Sequence, residues 1–287
     1  MQKGLNLVHL IVFLCFGVFA WSTFSIASQK DGLLKVYFLD VGQGDGIFIE
    51  TPNGNQVLVD GGPDSKIVQE LAEVMPFYDR EIDLVVVSHP HADHITGLVE
   101  VLERYDVGNI LEAKEFYNSP VFNVWQKAQE EEGAKLIEAG VGMEVDLGNG
   151  VRLKVIYPDK SYKGVLLSKP HQANVVLKLS YKNFELLLTG DMEKSIESEL
   201  IDRGIDVRAD ILKVGHHGSK TSSLENFLRT VQPQLAFIQV GQKNLYRHPS
   251  PEITQRLENF GIKYYRTDLD GHMKVATDGE TIKVNKY

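Results

Sequence analysis

Apolar residues in this chain change their spacing repeatedly, and each change predicts a change of element. LLKVYFL (33–39), GIFIE (46–50) and QVLVD (56–60) are short apolar segments between glycine-rich turns, which predicts three strands in a meander. SKIVQELAEVM (65–75) repeats every three to four positions and stops before Pro76, the pattern of an amphipathic helix. DLVVVS (83–88) is an unbroken apolar run, which predicts a strand buried on both faces. GLVEVLERY (97–105) and VFNVWQKAQEEE (121–132) return to helical spacing.

The second half repeats the theme. EVDL, VRLKVIY, NVVLKLSY and FELLLTG, all within 144–190, read as strands, and KSIESELID (194–202) as a helix. ADILKVG (209–215) reads as a buried strand, SLENFLRT (223–230) as a helix, QLAFIQV (234–240) as a strand and PEITQRLENF (251–260) as a helix. IKYYRT (262–267) and HMKVAT (272–277) are the last predicted strands. No stretch has linker composition. Two rounds of strands followed by helices predict a layered α/β fold, two mixed sheets packed together with helices outside, rather than a doubly wound sheet.

The first 28 residues stand apart from this pattern. Lys3 precedes LVHLIVFLCFGVFAW (7–21), then STFSIAS (22–28), the three-part form of an export signal with Ser25-Ile26-Ala27 as a small-x-small cleavage site. An uncleaved membrane anchor is the alternative, since the apolar run approaches spanning length. Either reading assigns 1–28 to targeting and 29–287 to one extracytoplasmic domain, with membrane contact at the N-terminus if the segment stays.

Composition narrows the chemistry. Cys15 is the single cysteine, so no internal disulfide forms and any metal must be held by His, Asp or Glu. A net charge of −9 argues against coating nucleic acid by charge alone. It leaves room for an enzyme that meets a phosphodiester with bound cations.

SHPHADH (88–94) follows the buried LVVV run and sits where that strand turns into a helix near Ile95. On extended chain His89 and His91 point to one side, and Asp93 and His94 follow as the chain turns. Imidazole with carboxylate suits Zn²⁺, Mn²⁺ or Fe. LLLTGDME (186–193) is another apolar strand, ending in Asp191, and ILKVGHHGS (211–219) ends in His216-His217. A Gly-Asp turn or a His pair is ambiguous alone. Three buried strands all ending in metal-ligand residues are not, because α/β folds build their sites at strand carboxyl ends.

In that order and spacing, SHPHADH, TGD and VGHHGS resemble the metallo-β-lactamase fold superfamily. FLDVGQGDGIFIE (38–50), VLVDGG (57–62), LKVGHHGSKTSS (212–223), HPSPEI (248–253) and YRTDLDG (265–271) narrow the resemblance to the extracytoplasmic hydrolase domain of the ComEC DNA-uptake family, over about residues 33–284. No polytopic channel accompanies these motifs, so the expectation is a stand-alone relative with the four-layer αββα sandwich of that superfamily.

The resemblance implies two divalent ions, Zn or Mn, with His89 and His91 on the first, and Asp93, His94 and His216 on the second, His217 being the alternative to His216. Asp191 would bridge them. His217 would lie near the leaving group or a substrate phosphate, and Asp60 would support the metal loop from behind. The superfamily often places a further His on the first ion, where ComEC-like members tend to have Asn. KPHQANVVLKL (169–179) leaves both His171 and Asn174 open for that position.

Three further features complete the expectation. DVGQGDG (40–46) continues into a strand and lacks both the dinucleotide fingerprint and a P-loop lysine, so its glycines fit a close turn, with Asp45 facing substrate. His248 is either a turn histidine or, with Arg247, a phosphate contact. Lys213, Lys220, Lys243 and Arg247 would supply local positive charge. The expected function is an exported metal-dependent phosphodiesterase, a nuclease acting on DNA through a metal-activated hydroxide that Asp93 orients and His217 or His248 assists. Its rivals are hydrolysis of a lactone, β-lactam or other ester, and a non-catalytic binding module. No protein partner is implied.

Overall fold

Strand alternation sorts the side chains into three separate cores. In the computed structural model, which describes residues 31–286, β1 (Leu34–Phe38), β2 (Ile47–Glu50) and β3 (Gln56–Val59) form the predicted antiparallel meander. β4 (Glu81–Val86), β5 (Asp106–Glu112) and β6 (Lys135–Glu138) then add in parallel, and β14 (Met273–Thr277) and β15 (Ile282–Lys286) complete an eight-stranded sheet in the order β15-β14-β1-β2-β3-β4-β5-β6. The second sheet has seven strands in the order β13-β12-β11-β10-β9-β8-β7. These are β7 (Glu144–Asp146), β8 (Val151–Tyr157), β9 (Val176–Tyr181), β10 (Phe184–Leu188), β11 (Ile211–Lys213), β12 (Leu235–Ile238) and β13 (Lys263–Arg266).

Val36 and Phe38 of β1, Leu84 and Val86 of β4, and Leu186 and Leu188 of β10 point between the sheets, where Phe38 stacks on Phe237 with ring centroids 4.0 Å apart. Their neighbours Tyr37, Val85 and Leu187 point the other way, as the two-residue period requires. On the first sheet they meet α1 (Lys66–Val74), α2 (Ala92–Leu102) and α3 (Pro120–Glu132). On the second they meet α4 (Lys194–Asp202), α5 (Glu225–Val231) and α6 (Pro251–Asn259). The result is the expected four-layer sandwich, helices outside two mixed sheets, with a short α7 (Thr267–Asp270) before β14.

Three strands and one boundary depart from the sequence reading. β5 is interrupted in pattern by Gly108 and Asn109, and β6 and β15 are edge strands whose residues are half-buried or exposed, so no apolar run marks them. α2 begins at Ala92, not near Ile95, with His91 in extended conformation at its N-cap. That shift places Asp93 and His94 in the first helical turn. The predicted export segment lies outside the described residues, among which no helix is long and apolar enough to cross a membrane.

Glu115, in the loop from β5 to α3, is buried, and burial pushes its carboxyl up to about 8. A carboxyl raised in the folded state binds more protons there than in the unfolded chain between about pH 4.5 and 8, so it subtracts stability as pH rises through that window. Glu115→Gln, which cannot ionise, is expected to melt near the wild type at pH 5 and above it at pH 8. Thermal melts at both values check this; a gap that fails to widen with pH defeats it.

Candidate metal centre

The parallel strands deliver their carboxyl ends to one rim of the sandwich. β3 ends before Asp60, β4 before Ser88 and His89, β10 before the Thr189-Gly190-Asp191 turn, and β11 before the Gly215–Gly218 turn that carries His216 and His217. Asp60, His216 and His217 all have positive φ, as does Arg247, a concentration of unfavourable backbone that marks functional sites more often than plain turns.

His89, His91, His171 and Asp191 bring one ligand atom each within 4.8 Å of one another, and so do Asp93, His94, Asp191 and His217. Asp191 belongs to both groups and divides its oxygens between them. Its Oδ2 lies 3.7 Å from His89 Nε2 and 3.7 Å from His171 Nε2, while its Oδ1 lies 3.5 Å from His94 Nε2 and 3.4 Å from His217 Nε2. His91 Nδ1 closes the first group, 2.9 Å from His89 Nε2 and 3.2 Å from His171 Nε2. Asp93 Oδ2 closes the second, 3.2 Å from His217 Nε2.

Two pairs of candidates separate here. His217, not His216, stands with Asp93 and His94, its buried ring anchored by Nδ1 on Gln239 O. His216 faces outward to His171 and Glu193, with its Nε2 3.7 Å from Asp191 Oδ2 and its Nδ1 3.2 Å from Thr221 Oγ1. Of the two candidates left open, His171 stands in the first group. Asn174 is used by the backbone: it donates to Thr189 O at 2.9 Å and accepts from Asp191 N at 2.9 Å, fixing the turn that presents Asp191.

The surrounding residues set tautomers. His94 Nδ1 is 2.8 Å from Asp60 Oδ2, and Asp60 also accepts from Ser88 N at 2.8 Å and Ser88 Oγ at 2.6 Å. His217 Nδ1 donates to Gln239 O at 2.9 Å. Each ring therefore offers Nε2 to the cluster, the arrangement carboxylate and carbonyl partners impose on metal-binding histidines. Asp45 does not face substrate. It is buried against Lys213 and His217, and Lys213 is itself fully buried, its Nζ donating to Gly190 O at 2.9 Å. Lys213 is thus internal, and only Lys220, Lys243 and Arg247 of the expected cations are exposed. His248 stands outside every ligand group, 5.8 Å ring to ring from His216.

Electrostatics supports a cation at this rim. Burial opposes charge on His217, yet the carboxylates of Asp191 and Asp45 outweigh it and push the ring up to about 10. Burial likewise opposes charge on His94, which Asp191, Asp60 and Asp93 hold well above the usual imidazole range. The cluster therefore draws protons to itself when nothing else supplies positive charge. His89 is held well below its ordinary value by burial and by His94, and His91 is lowered to about 4 by burial and by His171, so both keep a lone pair at neutral pH. His94 Nε2, His217 Nε2 and Asp191 Oδ1 are buried without a hydrogen bond and converge on one point. Buried polar atoms seldom go unpaired, and a divalent cation satisfies all three together.

A family model described as the metallo-beta-lactamase superfamily matches residues 39–241. The chain belongs to that superfamily, whose members are metal-dependent hydrolases. Among curated relatives, ComE operon protein 3 of Bacillus subtilis (strain 168) is 30% identical over 254 residues, 83% of this chain and 32% of its own length. Competence protein ComA of Neisseria gonorrhoeae is 26% identical, covering 100% of this chain and 38% of its own. The chain thus spans about a third of the relatives it matches. Among solved structures, the metallo-beta-lactamase fold protein YhfI from Bacillus subtilis superposes with a TM-score of 0.53 at 11% identity, covering 82% of this chain and 96% of that one. CmlA, a diiron beta-hydroxylase from Streptomyces venezuelae, gives 0.54 at 11%, covering 85% of this chain and 54% of that one.

The metallo-β-lactamase rim also depends on the 40–46 loop. A Cβ on Gly44 would lie 2.1 Å from Asp93 O, and Asp45 N donates to that same oxygen at 3.3 Å. Gly44→Ala must displace the first turn of α2, which carries Asp93 and His94. It is expected to lower metal affinity about 10- to 100-fold, the usual effect of disturbing supporting contacts. Competition with a chromophoric chelator measures this, and unchanged affinity refutes it.

Proposed function

We propose that this chain is a phosphodiesterase that cleaves DNA with two divalent ions, Zn²⁺ or Mn²⁺, one in each group that Asp191 joins. The carrying observation is the divided carboxylate, one oxygen toward His89 and His171 and the other toward His94 and His217. Ions held there by these residues would supply water activation and charge neutralisation at a phosphoryl group. The chain's own groups do the rest. Asp60 and Gln239 O hold the His94 and His217 rings so that Nε2 faces the centre. Asp93, partly exposed at the mouth, is placed to accept a hydrogen bond from the attacking water and so aim it. His248, 5.8 Å ring to ring from His216, would donate a hydrogen bond from its ring N–H to a substrate phosphate oxygen.

The resemblance to the DNA-uptake family, with relatives named ComE operon protein 3 and competence protein ComA, favours nucleic acid as the substrate. Exposed Lys220, Lys243 and Arg247 beside the rim agree with an anionic substrate on a chain of net charge −9. A neutral lactone would have no use for those cations. The N-terminal segment fits a site of action outside the cytoplasm.

The test is purified protein with Mn²⁺ or Zn²⁺ against DNA, a chromogenic phosphodiester, a lactone and a β-lactam. Cleavage of the first two that His91→Ala abolishes is expected. Hydrolysis of only the carbonyl substrates would assign the same centre to esters instead.

A further inference from the structure

Building on the phosphodiesterase reading, we infer that Tyr246 is a stacking platform for an unpaired nucleobase, so that the strand entering the metal centre is single-stranded. The loop from β12 to α6 carries it. Leu245 is 94% exposed and Tyr246 68%, adjacent large apolar groups at the mouth of a charged site. The loop that presents them is tied down. Asn244 Nδ2 donates to Gly241 O and to His248 O, both at 2.8 Å, its Oδ1 accepts from His248 N at 2.8 Å, and Ser250 N donates to Gly218 O at 2.9 Å. The last of these bonds fastens the loop to the turn bearing His216 and His217.

From that loop the rings run inward. Tyr246 lies nearly parallel to His248, 16° between planes and 5.8 Å between centroids. His248 is 5.8 Å from His216, which is 4.7 Å from His171. The ladder therefore begins at an exposed aromatic face and ends at a metal-ligand histidine. A solitary exposed tyrosine says little. This one is held rigidly, backed by a second ring, and aligned with the reactive centre.

Charge selects the occupant. Residues 239–250, QVGQKNLYRHPS, contain Lys243 and Arg247 and no carboxylate, in a chain with 39 acidic residues. Exposed cations three residues before and one residue after an aromatic ring match a ligand that alternates phosphate with a flat base, and proteins that hold single strands combine these two elements. In a duplex the bases are already stacked on each other, and their faces are closed to a side chain. An uncharged aliphatic ligand would use Leu245 but not Lys243 and Arg247.

The test is fluorescence anisotropy of the purified chain, with Ca²⁺ as the bound cation, on two labelled strands of equal length: oligothymidine and its abasic counterpart, which has the same phosphates and no bases. Oligothymidine is expected to bind roughly five- to hundred-fold tighter, the span of one base–aromatic stack. Tyr246→Ala should bring that ratio close to one, Tyr246→Phe should keep it, and Lys243→Ala should weaken both strands alike. Equal binding of the two strands by the wild type, or an unchanged ratio in Tyr246→Ala, overturns the platform while DNA cleavage remains intact. Failure of both strands to bind, together with no DNA cleavage by the metal-loaded protein, overturns the platform and the phosphodiesterase reading together.

Discussion

Asp191→Asn is expected to lower hydrolysis by roughly three orders of magnitude, about 4 kcal/mol of barrier, the scale on which a metal centre acts. The amide keeps the size of the side chain but loses the charge that both ligand groups share. His89 and His171 face one oxygen, and His94 and His217 face the other, so among the described residues Asp191 alone belongs to both four-residue groups. The fold should survive, because Asn174 holds the turn through the Asp191 backbone and not its side chain. Elemental analysis should show metal content falling in the variant, with a thermal melt confirming a folded protein. Retention of full metal content and activity within tenfold of the wild type would remove Asp191 from the bridging position.

The same residue shows what could be read from the sequence. Asp191 was legible because it ends an apolar strand, as do His89 and His216-His217, and buried strands that end in ligand residues converge by topology. His171 was legible only as a candidate: it lies in a short turn at Pro170–Ala173 that no periodicity marks, and only tertiary packing brings it to His91. The order of the His pair was not legible at all. The inward ring is the one whose Nδ1 meets Gln239 O, a partner distant in sequence that no local pattern marks. Lys213 was misread as surface charge, although its setting carried a clue. A lone lysine inside the apolar run ADILKVG needs a buried partner, and Asp45 in the distant 40–46 loop is that partner. Edge strands β6 and β15 escaped for the opposite reason: half-exposed strands carry no continuous apolar run.

Lys213→Met should be the most destabilising single change behind the centre. Lys213 is 0% exposed, with its ammonium against Asp45 and Gly190 O. Methionine fills much of the same volume but leaves the Asp45 carboxylate buried near Asp60 with its principal cation gone. Removing one partner of a buried pair costs about 3–5 kcal/mol. For a domain of this size that corresponds to a fall of roughly 6–20 °C in Tm. Asp45→Asn should also destabilise, because it strands the ammonium instead. The pair Asp45→Asn with Lys213→Met should cost clearly less than the sum of the two, since neither charge is then left alone. Thermal melts of the metal-free protein measure all four corners of that cycle. Strict additivity, or a Lys213→Met protein melting within about 2 °C of the wild type, would show that the ion pair is not what supports Gly190 and Asp45. If the coupling holds, metal affinity should fall with stability in Lys213→Met, because the ammonium ties together the turn that presents Asp191 and the loop that packs on Asp93.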